Sequence, residues 1–209
     1  QNGQALPIGP PLAGDPGGTN NSEVHNTGEV WCVMLWECYA ALLNDTGRLT
    51  FAQAQQRMQD YLVAGYMLTP NAPTFVEARD ALLAAAMAGD PADFALMTPA
   101  FAKRGLGTGA IAPDRDAAGN LGVTESFAIG GDLAVTSVTL TDDLHSCDND
   151  SYLDNGERGT LSVVIANTGW SSLSGTTVTV SAGAGVTFPA GNVFGLSPTD
   201  PFQSAVLNV

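Results

Sequence analysis

The chain has 209 residues, 21 acidic side chains against seven lysines and arginines, and 44% hydrophobic residues. Its length allows one or two domains, each able to bury a core. A formal net charge of −14 excludes nucleic acid and anionic membranes as partners, because both require clustered positive charge. The longest apolar run, Val30 to Leu43, is interrupted by Glu37 and falls short of the roughly 20 residues a bilayer needs. Gln1 opens no signal-peptide pattern and reads as a processing boundary. Three cysteines leave one odd thiol and argue against a disulfide scaffold.

Residues 1–20 are rich in Gly, Pro and Asn without apolar periodicity and read as an extended arm or loop. From Thr27, helical spacing sets in: Trp31, Met34, Leu35, Cys38 and Leu42 form one stripe, while Val30, Val33 and Leu43 make the other side apolar too. Such a pattern predicts a helix buried on nearly all sides. Trp31, Trp36 and Phe101 are read as core. Cys32 and Cys38, six residues apart in this helix, have Cα atoms about 9 Å apart, too far to bridge; they are read as small buried hydrophobes. Asn44-Asp45-Thr46-Gly47 breaks the helix, and Thr50 caps a second running to about Ala64. Thr74 and Glu77 form a capping box for a third. Asp90-Pro91 opens a fourth, ended by Gly105 and kinked or divided at Pro99. Lys103 and Arg104 are placed to offset the negative end of that helix.

From Leu133 the period becomes two. Leu133, Val135, Val138 and Leu140, then Leu161, Val163 and Ile165, then Val178 and Val180 predict short strands between Gly, Asn and Ser turns. Their spacing suggests an immunoglobulin-like antiparallel β-sandwich, shorter than usual and ending as though within a strand at Val206 to Val209. The fold expected is therefore multidomain, α then β: an arm over 1–20, a helical subdomain over 21–127 and a β-sandwich accessory domain over 128–209.

The blocks Val24-His25-Asn26-Thr27-Gly28-Glu29-Val30-Trp31, Met34 to Glu37, Phe75 to Leu83, Phe101 to Gly107 and Val123 to Phe127 together resemble the C-terminal helical subdomain of the fungalysin peptidases, secreted zinc enzymes of the thermolysin-like clan. The resemblance covers about half the chain and implies that His25 faces the zinc site across a cleft. A lone histidine is no site signal; the resemblance supplies the role. A peptide carbonyl under attack develops an oxyanion, and an imidazolium donating to it stabilises the transition state more than the substrate. Two departures stand out: Asn20 or Asn21 occupies the position of an orienting acid, and Asn71 and Ala95 stand where fungal members carry a loop-joining disulfide. The chain contains no His-Glu-x-x-His helix, so the zinc ligands and catalytic glutamate are expected outside it. The implied partners are the N-terminal catalytic half of the same protein and a polypeptide substrate, the implied location is extracellular, and the chain alone is expected to be inactive.

Glu37 in an apolar helix is either a general acid raised by burial or an ion pair with Arg79 or Arg104; the ion pair is favoured. Six acids surround one turn, of which Asp148, Asp150, Asp154 and Glu157 have the oxygen chemistry and irregular spacing suited to calcium, the alternative being a solvated acidic loop. His145 and Cys147 nearby are too few for zinc. The rival reading from another class is a noncatalytic extracellular binding or adhesion module, in which the helices only scaffold.

Overall fold

The computed structural model describes residues 24–115 and 122–209; the arm expected over 1–20 lies outside them. The chain divides into two compact units, Gln1–Ile129 and Gly130–Val209. In the first, four helices follow one another: α1 (Val24–Asn44), α2 (Phe51–Leu68), α3 (Phe75–Gly89) and α4 (Pro91–Lys103). Their starts are written in the sequence. Thr50 and Thr74 each accept the backbone N–H three residues on, and Gln53 and Glu77 reach back to the cap amides, satisfying donors that the helix itself cannot. Asp90 caps α4 by accepting the Ala92 N–H at 2.9 Å, with Pro91 at the first position where its missing N–H costs nothing.

Pro99 does not divide α4, which runs unbroken to Lys103. The carbonyl of Ala95 loses its usual partner to the proline ring, and the Thr98 hydroxyl donates to it at 3.5 Å. The helix ends where Gly105 takes φ of +84°, a conformation that favours glycine. Two residues on, Gly107 donates to Ser126 O at 2.7 Å; a Cβ there would run into the carbonyl of Ala128. The strip Val123 to Phe127 is thereby held against the end of α4, and buried Arg79 donates to the carbonyls of Leu106 and Gly107 at 3.2 and 2.8 Å.

The α1 helix is not buried all round. Met34, Cys38 and Leu42 pack into the unit, but Val30, Val33 and Trp36 are exposed, Trp36 to 65%. Trp36 is thus a surface residue, edge-on to Tyr39, whereas Trp31 stacks on fully buried Phe101 with ring centroids 5.9 Å apart. Cys32 is exposed while Cys38 is buried. The reason is geometric: the remaining helices pack along one side of α1, and an apolar sequence on the other side cannot by itself supply a cover.

A charged cluster ties the helices together. Asp93, with no exposed surface, accepts from Arg57 and Tyr61 at 2.7 Å each and from Arg48. The same arginines bridge to Asp90 at 2.6 and 2.7 Å, and Arg48 also pairs with Asp45. Burial pushes the Asp93 carboxyl up, but its hydrogen bonds from Tyr61, Arg57 and Arg48 outweigh this and hold it below the ordinary 3.8. Asp90 is lowered in the same way, first by Arg57.

The second unit carries β1 (Leu133–His145), β2 (Arg158–Asn167), β3 (Thr177–Thr179), β4 (Val193–Gly195) and β5 (Ser204–Asn208). An antiparallel sheet has the order β1-β2-β5, and β3 pairs antiparallel with β4. Directly opposed residues share a face, so Val163 stands between Val138 and Leu207, and Ile165 between Val135 and Ala205. Val163, Ile165, Ala205 and Leu207 form the core with Leu196, and Val178 of β3 and Phe194 of β4 pack against it. The core stops short of β1, whose Val135 and Val138 remain exposed.

Replacing Asp93 with Ala removes the acceptor of the Tyr61 hydroxyl and one of the carboxylates of Arg48 and Arg57, which keep Asp90. Because both arginines keep about a third of their side-chain surface in water, the loss should fall below the 3–5 kcal/mol of a fully buried pair, at about 2 kcal/mol by urea unfolding; a loss under about 0.5 kcal/mol, the range of ordinary surface changes, would show the cluster to be incidental. Lowered carboxyls contribute stability that is complete above the unfolded-state value near 3.8 and disappears as pH falls through the lower folded values. Wild type should therefore lose stability below about pH 4 more steeply than the Asp93→Ala variant.

Candidate functional site

His25 lies in the first turn of α1, exposed to solvent. Helical spacing of four, seven and eleven residues puts Glu29, Cys32 and Trp36 on its face, and all three are exposed. The opposite face, Met34, Cys38 and Leu42, is the buried one. This orientation is set from α4: Phe101 stacks on Trp31, the Cys38 thiol points at Met97 O at 3.9 Å, and Glu37 pairs with Lys103 at 2.7 Å and with Arg104.

Glu37 is an ion pair and no general acid. Hydrogen bonds from Lys103 and then Arg104 outweigh its burial and hold its pKa below the ordinary carboxylate value. Its partners are Lys103 and Arg104, not Arg79, which is buried on α3 and pairs with Asp80. Burial, with the charge of Glu37, pushes the Cys38 thiol well up, so Cys38 is inert core.

The acidic residues of the second unit lie around the β1–β2 connection. Asp142, Asp148 and Asp150 bring one carboxylate oxygen each to within 4.8 Å of one another. Asp154 and Glu157 do not join them. Glu157 instead accepts the backbone N–H groups of Cys147 at 2.6 Å and Asp154 at 2.9 Å, which in that order lower its pKa and pin the two ends of the loop. Asp142, 2% exposed, accepts from the Ser146 hydroxyl at 2.6 Å and the Ser151 N–H at 3.2 Å. Ser146 in turn accepts the N–H of Asn149 at 2.7 Å. Desolvation, then the charges of Asp150, Glu157 and Asp154, raise the pKa of Asp148: negative charge here is undercompensated. Gly159 closes the base, since a Cβ there would strike the Thr141 carbonyl.

Sequence reasoning placed Asp142 in the acidic run but not among the ligands. Part of the signal was available: the period of two carries from half-buried Leu140 to Asp142, which lies on the same side of β1 and is buried. His145 and Cys147 are both exposed and belong to no ligand group among the described residues. The one three-ligand group there is all carboxylate, which suits a hard cation and not catalytic zinc, and His25 is no part of it. These residues do not fit a zinc centre.

Residues 14–110 match the model of the Fungalysin metallopeptidase (M36) family. Extracellular metalloproteinase 1 of Arthroderma gypseum is 39% identical over 100 residues, covering 43% of this chain and 16% of the relative. Extracellular metalloproteinase 3 of Trichophyton tonsurans is 38% identical over 109 residues, 47% of this chain and 17% of the relative; Extracellular metalloproteinase 5 of Arthroderma benhamiae is 35% identical over 113 residues, 49% and 18%. The helical part of the chain is thus a fungalysin-type C-terminal part, and the chain spans about a sixth of the length of these relatives. No helix among the described residues is long and apolar enough to cross a membrane.

Proposed function

We propose that the helical unit belongs to a secreted zinc metalloendopeptidase in which His25 stabilises the transition state and the metal is held by a segment outside these 209 residues. The observation that supports this most is the place of His25: it heads an exposed helix face inside the stretch that matches the metallopeptidase family. As an imidazolium it donates N–H to the oxyanion that grows on the scissile carbonyl of a polypeptide substrate, an interaction stronger in the transition state than in the ground state. The partner is the N-terminal catalytic half of the same protein. The second unit serves as an accessory domain of immunoglobulin-like type, its three-stranded sheet and the β3–β4 pair standing for the two layers, a reading supported by the packing of Val178 and Phe194 onto the sheet core.

His25→Ala in the full-length enzyme should lower kcat about 10²-fold with a smaller change in KM and unchanged metal content, since one oxyanion donor is lost. A wild-type kcat would overturn the role. The 209-residue chain alone should not cleave casein, and chelator-sensitive cleavage by it would remove the premise that the metal lies elsewhere.

The acidic loop is proposed to bind calcium, with Asp148 and Asp150 joined by Asp142 and with Asp154 and Glu157 shaping the loop. Desolvation, and then repulsion from Asp150, Glu157 and Asp154, raise the Asp148 pKa, and the repulsion is relieved when a cation bridges the carboxylates. Saturating calcium should raise the melting temperature by mass action, and the double variant Asp148→Asn, Asp150→Asn should lose the rise. An equal melting temperature in calcium and in chelator would discard the site.

A further inference from the structure

We infer that the open edge of β1 over residues 137–141 takes up an extended polypeptide segment as an added antiparallel strand, apolar at alternate positions and basic at its N-terminal end. The segment is substrate, a step that rests on the peptidase reading above. In the order β1-β2-β5 both β1 and β5 are edges, and they differ in cover. Ala205 and Leu207 of β5 are buried, whereas Val135 and Val138, which stand directly opposite buried Ile165 and Val163, are 57% and 61% exposed. The cause is the small second layer: β3 and β4 have three residues each, and their Val178 and Phe194 pack on a core drawn from β2, β5 and Leu196. An apolar row along β1, continuous with a formed core, is left uncovered.

Three observations favour this occupant. Ser137, Val138, Thr139, Leu140 and Thr141 pair with β2 in unbroken register, with shifts on either side, so the regular edge matches β5, a strand of 5 residues. Alternate backbone N–H and C=O groups of this run point away from β2, and an added strand satisfies them together. The usual guards of an edge are absent, since no Lys, Arg or Pro occurs from Leu133 to Leu144. Second, Val138 and Leu140 alternate with Ser137, Thr139 and Thr141, so apolar side chains of an incoming strand meet them across the pair and prolong the uncovered row. Third, the run ends at Asp142 and Asp143, with Asp148 and Asp150 close to Asp142, while Arg158, opposite His145, is the one Lys or Arg from residue 130 to residue 209. An antiparallel strand sets its N-terminal end there, where basic residues complement the acids. A second copy would bring the same acidic excess. Holding one segment of a substrate raises its effective concentration at the enzyme.

The probe is a fluorescein-labelled peptide of two lysines followed by three Val-Thr repeats, titrated with the 209-residue chain in calcium-free buffer and read by anisotropy. It should bind, and a version with two glutamates for the lysines should bind at least about tenfold more weakly at low salt. The gap should shrink in 1 M salt, where the Debye length falls to about 3 Å. Hydrogen exchange should slow over residues 137–141 on binding, and not over β5. Protection on β5 instead, protection on neither edge, or equal binding of the glutamate peptide would overturn the proposal. Val138→Lys should keep the wild-type melting temperature, since Val138 is exposed, while weakening the lysine peptide about fivefold or more; unchanged binding counts against the edge. Protection of residues 137–141 without peptide that grows with chain concentration would assign the edge to a second copy. The same protection in the full-length protein without peptide would place the cover in the same polypeptide, and either result overturns the proposal. In the full-length enzyme, Val138→Lys should raise KM about fivefold at unchanged kcat for a fluorogenic peptide carrying the lysine and Val-Thr segment, and leave KM for the same peptide without it unchanged. A wild-type KM on the extended peptide would overturn the assignment to substrate. Peptide binding at β1 alongside a wild-type kcat in His25→Ala would remove the catalytic role and leave the edge standing, so the two readings fail separately.

Discussion

A carboxylate with no solvent exposure must be compensated where it stands, and Asp93 meets that demand by drawing three parts of the helical unit to one point. Arg48 arrives from the turn after α1, Arg57 and Tyr61 from α2, and Asp90 from the cap of α4. Leaving any of these groups without a partner would cost more than the pairing gains, so the cluster behaves as a constraint on geometry. It fixes the start of α4. Along that helix Met97, Phe101, Lys103 and Arg104 then engage Cys38, Trp31 and Glu37 of α1. The face of α1 that looks outward, and with it the direction of His25, is tied to a charge buried in the first turn of the neighbouring α4.

In the second unit carboxylates do two different jobs within sixteen residues. Glu157 and Asp142 are satisfied by backbone amides and a hydroxyl, bonds that favour the charged form and build the loop. Asp148 and Asp150 are what remains of that construction: their carboxylate oxygens lie near that of Asp142, and no salt bridge to them is found among the described residues.

Much of the helical unit was legible because its signals are local. Capping residues at Thr50, Thr74 and Asp90 act within three positions of themselves, and period-two alternation marks β1 and β2 in the same way. What was not legible depends on partners distant in sequence. Arg104 was one of the two partners expected for Glu37, but nothing near Glu37 says that Lys103 will join it while Arg79 turns to the carbonyls of Leu106 and Gly107. The error at Trp36 and Cys32 has another cause: the other helices pack along one side of α1 only, and apolar residues on its other side do not by themselves bring a cover. His25 was singled out through resemblance and not through spacing, because a single histidine leaves no periodic trace. Asp142 was missed because attention to acidic spacing in the loop overlooked the strand that points it inward.

The distribution of charge bears on how an apolar face can coexist with a net charge of −14. Acidic groups of the helical unit are largely engaged: Asp45, Asp90 and Asp93 with arginines, Glu37 with Lys103 and Arg104, Glu77 with Arg115. Much of the unpaired charge sits on the β1–β2 loop of the other unit, which carries one basic residue, Arg158. Along α1 between His25 and Trp36, Glu29 is the one charged residue, so the exposed Val33 and Trp36 have little charge beside them in their own helix, and local desolvation rather than the net charge of the chain governs what that face gains from contact.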